Sequence, residues 1–404
     1  MTDISQHLPK SSPIVDAIYA YHKKKGDAEP TRGYLGASII GHSCDRFLWF
    51  NFRGCCKPNF NGRMYRLFET GDLAESRFVA ELRAIGCVVH DRDESGNQFE
   101  VSAVGGHFSG HMDGCATNTP RREKSWMGLE FKTHNDKSFN KLKKVEVKEA
   151  KPQHYAQMQV YMKLSGLRKF LYIAVNKNDE SLYCEIVRYD AEAADLLMAR
   201  AERIIKATAP PERISNRPDY YECSYCDAKE ICWNEHGREP CGIGYWVGYL
   251  PALPLPTINC RQCCHSTPTM DGKAAWQCER HKRGLSPADQ SKACDDHLVL
   301  PGLISFAQPV NAGDVFIEFV NLEPAEPFVP QNTEQPKVIW RHGKGEGAFS
   351  TKELMQLSPE QLTNPTINKV KEIFDGTVER VWKDEDSNDG DTNTSDKSSA
   401  SGNP

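Results

Sequence analysis

Between about residues 33 and 237 the apolar positions alternate between a helical and an extended period. Phe78, Val79, Leu82 and Ile85 share one stripe with Glu75, which predicts a helix over 71–85 closed by Gly86 just past its last turn. Extended segments are expected at 87–90, 98–104, 107–115 and 127–132. Pro152 then opens a helix that ends at Gly166, since proline is tolerated in a first turn. A hairpin of 169–175 and 181–188 joined by 176–180 follows, and a helix over 190–206 completes the unit. Helix, three or four strands, helix and strand make an α/β fold with a central mixed sheet.

The pattern changes on either side of this unit. Residues 1–33 hold a short helix over 14–24 and a polar linker. Residues 238–300 contain six cysteines and several prolines with little periodicity, as expected of a small Cys/His module held by metal. Residues 301–382 regain regular patterning as a C-terminal α+β segment. It has strand candidates at 315–319 and 338–341, a capping box from Ser350 to Glu353, and a helix near 367–374. Residues 383–404 carry six acids and two lysines among Ser, Asn and Gly, which predicts a disordered acidic tail. No internal repeat is present.

The chain has 404 residues, enough for two or three units. Its net charge of −5 argues against nucleic acid until the tail's −4 is set aside, which leaves the body near neutrality. No run of about 18 apolar residues can span a bilayer. The first ten residues lack a signal-peptide core, so a cytoplasmic protein is expected, in a host cytoplasm if phage-encoded. Fifteen cysteines in that setting point to metal ligation more than to disulfides.

Candidate chemistry gathers on the 127–132 strand. Alternate side chains share a face, so Glu130 and Lys132 point together while Phe131 enters the opposite layer and leaves its carbonyl as a further ligand. Asp113 ends a separate strand and converges on Glu130. Hard oxygen donors of this kind suit Mg²⁺ or Mn²⁺, and a lysine beside the metal suits phosphodiester hydrolysis. Glu75 on an apolar stripe is costly unless a metal neutralises it; the alternative is a pairing with an arginine at the stripe's edge. His154, Gln157 and Tyr161 share one face of the 152–166 helix.

The series Gly71, Glu75, Gly110-x-x-Asp113, Glu130-Phe131-Lys132 and Gln157-x-x-x-Tyr161 resembles the motifs of the PD-(D/E)XK nucleases of the RecB type. The resemblance covers about residues 34–237 and implies a restriction-endonuclease-like αβββαβ core. It also implies metal ligands at Glu75, Asp113 and Glu130, a catalytic Lys132, and supporting Gln157 and Tyr161. RecB-type helices usually carry histidine where this chain has Glu75, and glutamate there looks more like the relatives of phage lambda exonuclease.

Cys44, with Cys223-x-x-Cys226 and Cys232, brackets this region and has the count of a four-thiolate site. It resembles the arrangement of the CRISPR adaptation nucleases and of the AddB helicase-nuclease subunit, which implies a [4Fe-4S] cluster serving as a staple; the other reading is a Zn²⁺ site. Arg46 matches a basic, phosphate-contacting position in those families. Cys260-x-x-Cys263, Cys278-x-x-His281 and Cys294-x-x-His297 are three further pairs at zinc-like spacing. Cys260, Cys263 and Cys278 with Cys294 or His281 are preferred, and Cys264, His265 and Cys241 are poorer candidates. Six lysines between Lys137 and Lys151 form either a solvated face or a DNA-backbone contact, with Lys137, Lys141, Lys143, Lys144 and His154 as the residues in question.

The resulting expectation is a Mg²⁺- or Mn²⁺-dependent DNA exonuclease, or a structure-selective endonuclease, in recombination, repair or replication. A helicase or a single-strand annealing protein is the expected partner. The rivals are a non-catalytic nucleic-acid-binding protein and an iron-sulfur redox protein.

Overall fold

A computed structural model describes residues 12–121, 124–233, 251–322, 338–364 and 367. The first lobe opens with α1 (Pro13–Asp27), strand β1 (Leu35–Gly36), α2 (Asp45–Phe52) and α3 (Gly62–Ala84). Strands β2 (Val88–His90), β3 (Phe99–Ala103), β4 (Phe108–Met112), β5 (Gly114–Thr117) and β6 (Met127–His134) follow. The lobe continues with α4 (Asp136–Ala150), α5 (Pro152–Ser165), β7 (Lys169–Asn176), β8 (Leu182–Arg188) and α6 (Ala191–Lys206), and ends in short helices α7 (Tyr221–Ser224) and α8 (Lys229–Trp233).

The expected α/β fold with a central mixed sheet is present. Its five strands run in the order β2-β5-β6-β7-β8, with β6 and β7 parallel and the other pairs antiparallel. The parallel pair is joined by α4 and α5, as a parallel crossover requires. On one face Phe78, Val79 and Leu82 of α3 pack on Leu129, Phe131, Leu171 and Ile173, with the Phe78 and Phe131 rings stacked 5.1 Å apart. Each such burial contributes roughly 1.5–3 kcal/mol. α5 and α6 cover the opposite face.

Three expectations need correction, and one element was not foreseen. The helix expected from 71 begins at Gly62, where the Asn61 side chain accepts the Met64 N–H (3.0 Å). Ile85 is its C-cap and is 62% exposed, so it leaves the apolar stripe. The 107–115 run is two strands in two sheets. β4 belongs to a small sheet of order β1-β4-β3, β5 belongs to the central one, and Gly114, at φ +146°, turns the chain between them. The lysine-rich run is a helix, α4, which buries Phe139, Leu142, Val147 and Ala150 and is kinked at Glu146 (φ 58°).

The later residues pack directly against this lobe. β9 (Ser266–Pro268), β10 (Trp276–Cys278) and β11 (Arg283–Leu285) form a three-stranded sheet, followed by α9 (Pro287–Gln290). β12 (Ala307–Ala312), β13 (Phe316–Asn321), β14 (Ile339–Gly343) and β15 (Ala348–Phe349) form a four-stranded one, with α10 (Thr351–Leu354) and α11 (Pro359–Leu362) after it. The Ser350–Glu353 capping box forms as expected. Arg53, 2% exposed, ties the regions together: it donates to the carbonyls of Arg261 (2.9 Å) and Ala207 (2.7 Å) and lies over Trp276. The expected helix near 367–374, Cys241 and the 383–404 tail lie outside the described residues, apart from Ile367. No helix among the described residues is long and apolar enough to cross a membrane.

Candidate active site

The end of β4, strand β6 and helix α5 bring the predicted residues to one place. Asp113 occupies the joint between β4 and β5, and its Oδ2 accepts the Phe131 backbone N–H at 2.7 Å. That bond holds the Asp113 carboxylate at the middle of β6. Glu130, on β6, is fully buried; its Oε1 pairs with Lys132 and its Oε2 accepts from Gln157 Nε2 at 3.1 Å. Gln157 also donates to the Tyr161 hydroxyl (3.2 Å), which donates to the His111 carbonyl (2.9 Å). A hydrogen-bonded chain therefore runs from the Glu130 carboxylate of β6 through Gln157 and Tyr161 of α5 to the His111 carbonyl of β4.

Lys132 is the electrostatic hub. Its Nζ also donates to the Phe131 carbonyl (3.1 Å). Burial works to lower the ammonium's pKa, but Glu130, Asp113 and Glu75 outweigh it and the pKa rises. The acids respond in the opposite sense. Burial pushes Glu130 up to about 7, with Lys132 opposing and Asp113 reinforcing the shift. Glu75, half-buried on α3, is raised to about 7 by burial and then by the Asp113 charge. Asp113 is raised by burial, against the pull of Lys132 and the Phe131 N–H. Three carboxyls that resist ionisation together around one ammonium are deficient in positive charge. The donor set, three carboxylates and one carbonyl, fits a hard divalent cation.

Two histidines beside this chain were not foreseen in this role. The Tyr172 hydroxyl lies 2.9 Å from both His134 Nε2 and His154 Nδ1, and the two imidazoles stack. Burial, reinforced by neighbouring lysines, lowers His134 to about 4 and His154 to about 3. His154, partly buried, thus turns its Nδ1 toward Tyr172. In the strand register Tyr172 stands opposite Glu130, a signal visible only once β6 and β7 are paired. Lys137, Lys141, Lys143 and Lys144 are all exposed on the outer side of α4.

The four bracket cysteines also meet. Cys44, Cys223, Cys226 and Cys232 line one cavity, with His42, Arg213 and Trp233 among its other walls. Cys44 caps α2, its Sγ accepting from the Phe47 N–H (3.5 Å). Arg200 holds that corner by donating to Ile40 O, His42 O and Asp45. Arg46 turns inward, donating to the Pro211 carbonyl (2.8 Å) with its guanidinium over Phe50, so it is not placed as the expected phosphate contact.

Of the second cysteine set, Cys260, Cys263, Cys278, Cys294 and His281 line another cavity. His297 is corrected as a ligand: its Nε2 meets the Asn259 carbonyl (3.0 Å) and its Nδ1 the Thr351 hydroxyl (2.9 Å), so neither nitrogen is free. Among the described residues no three His, Cys, Asp or Glu side chains stand as a ready-formed ion site.

No family model matches the chain, and no curated protein matches it. Among solved structures, the crystal structure of SSO0001 is 14% identical, with a TM-score of 0.32 over 55% of this chain and 96% of that one. LHK-Exo in complex with dAMP is 14% identical, with a TM-score of 0.31 over 46% of this chain and 89% of that one. The alkaline exonuclease LHK-Exo from Laribacter hongkongensis is 13% identical, at 0.30 over the same shares. Likenesses this distant assign no chemistry to the chain.

Proposed function

We propose that this chain is a metal-dependent deoxyribonuclease, acting as an exonuclease on DNA ends. The observation that supports it is the convergence of Asp113, Glu130, Lys132 and Glu75, with Gln157 and Tyr161 bracing Glu130 from behind. Glu75, Asp113, Glu130 and the Phe131 carbonyl would hold Mg²⁺ or Mn²⁺. When bound, the cation would offset phosphate charge and acidify an attacking water.

The chain's own groups account for the rest of the reading. Lys132, kept protonated by three acids, orients the scissile phosphate or the water beside it. Gln157 and Tyr161 fix the Glu130 rotamer, so that its carboxylate faces the lysine side of the strand. The exposed lysines of α4 offer backbone contacts whose strength falls with salt. Cys44, Cys223, Cys226 and Cys232 would hold a [4Fe-4S] cluster that staples the start of α2 to α7 and α8, since four thiolates satisfy such a cluster.

The test is cleavage of 5′- and 3′-labelled single- and double-stranded DNA by anaerobically purified protein with Mg²⁺ or Mn²⁺. Cutting that falls by about 10²-fold or more in Lys132→Ala and Glu130→Gln, with DNA binding retained, is expected. Absence of cutting by the intact protein with either ion, or undiminished cutting by Lys132→Ala, overturns the reading. The end that is degraded first gives the polarity.

A further inference from the structure

We propose that Cys260, Cys263, Cys278 and Cys294 form a second, structural site that takes one zinc ion in an all-sulfur shell. It is independent of the nuclease reading and lies apart from the cavity of Cys44 and its partners. The four thiols come from three separate pieces of chain and line one cavity. Cys260 and Cys263 flank a single 3₁₀ turn, closed by the Cys263 N–H donating to the Cys260 carbonyl (3.1 Å). Asn259 and Gln262 cap that turn reciprocally, so the first two sulfurs are presented by a rigid knuckle. Cys278 closes β10, opposite Ser266 of β9 and Arg283 of β11. Cys294 arrives on the loop after α9, where His281 Nε2 stands 3.4 Å from its sulfur.

The Leu298 N–H donates to the Cys263 sulfur (3.5 Å), an interaction that favours the anion. Four such thiols can be deprotonated together only around a metal. The sulfurs ring the cavity without standing as a finished cage, and the ion's binding would complete the closure.

Two of the alternative donors are engaged elsewhere. His297 is committed at both nitrogens, and the Cys264 sulfur faces the Val299 carbonyl (3.3 Å) instead of the cavity. His281 also faces Asp296 Oδ2 (3.5 Å), which suits an outer hydrogen-bonding partner of the Cys294 sulfur. β9, β10 and β11 have three residues each, too few to hold a sheet by backbone pairing alone. The knuckle also carries Arg261 and Gln262, whose side chains donate to Phe52 O (2.9 Å) and Gly54 O (2.8 Å) of the first lobe. A zinc at the knuckle would therefore hold the docking residues of the whole C-terminal half.

The experiment is element-specific analysis of the full chain purified anaerobically. Zinc and iron are counted by mass spectrometry, and the zinc shell is read by X-ray absorption at the zinc edge. One zinc per chain with four sulfurs at about 2.3 Å is expected. It should persist in Cys223→Ser, where any iron is lost, and in His281→Gln, and should be lost in Cys278→Ser. Because Cys278→Ser can misfold, release of zinc from the wild-type protein on titration with an organomercurial is the second measurement. No zinc in the wild type, a shell with nitrogen or oxygen donors, or zinc that stays in Cys278→Ser and leaves in Cys223→Ser overturns the proposal. None of these readouts depends on DNA cleavage.

Discussion

Tyr161 shows how one hydroxyl can serve a site it does not enter. Its O–H satisfies the His111 carbonyl and its oxygen receives Gln157, which in turn holds Glu130. Tyr161→Phe should leave that carbonyl and the glutamine short of a partner, at about 1–3 kcal/mol, as thermal unfolding would measure. DNA cleavage should fall with Glu130 less well held, whereas the affinity for DNA should hardly change. At this scale Glu130, Lys132, Asp113, Gln157 and Tyr161 were legible because strand alternation and helix spacing place side chains on faces. His154 shares that helix face, but its bond to Tyr172 became legible only once β6, β7 and α5 were packed together.

Among the elements, β4 approaches α5 without any spare space. A Cβ on Gly110 would stand 2.7 Å from the Tyr161 ring, with Ala37 Cβ 3.0 Å away on another side. Gly110→Ala should push Tyr161 from its place and reduce cleavage more than it reduces the melting temperature, as parallel assays would report. Strand β14 carries a pH-sensitive element. His342 is fully buried, its Nδ1–H donating to the Phe349 carbonyl (2.8 Å) and its Nε2 accepting the Val299 N–H (2.9 Å). Protonation would break the second bond, and burial, with His297 nearby, lowers its pKa to about 4. The unfolded chain then binds the proton more readily, so this contribution is fully present above about pH 6.5 and is lost as pH falls toward 4. On the order of 3 kcal/mol is at stake, and denaturant unfolding across that window should show a flatter profile for His342→Gln. α2 and α4 escaped the sequence reading for different reasons. α2 has only eight residues, too few for a helical period to stand out, and α4's charge hides the four residues it buries.

Across the whole molecule, Arg53 is one of the ties between the first lobe and the later sheets. It carries a guanidinium in the interior on hydrogen bonds to Arg261 O and Ala207 O and on the Trp49 and Trp276 rings. Arg53→Ala should cost about 2–4 kcal/mol in unfolding free energy, removing both the bonds and the packing. Limited proteolysis should then find the 251–322 region more readily. From the sequence by itself came the α/β class, the order of most elements and the residues of the centre. These follow from period, turn chemistry and side-chain type, which are local properties. Tertiary structure alone decided that the 107–115 run splits between two sheets at Asp113, that Arg46 and His154 face inward, that His297 is already committed, and that the cysteine-rich region shares its core with the first lobe. Each of these depends on partners tens to hundreds of residues away, and a partner's identity is set by packing, which no local pattern encodes.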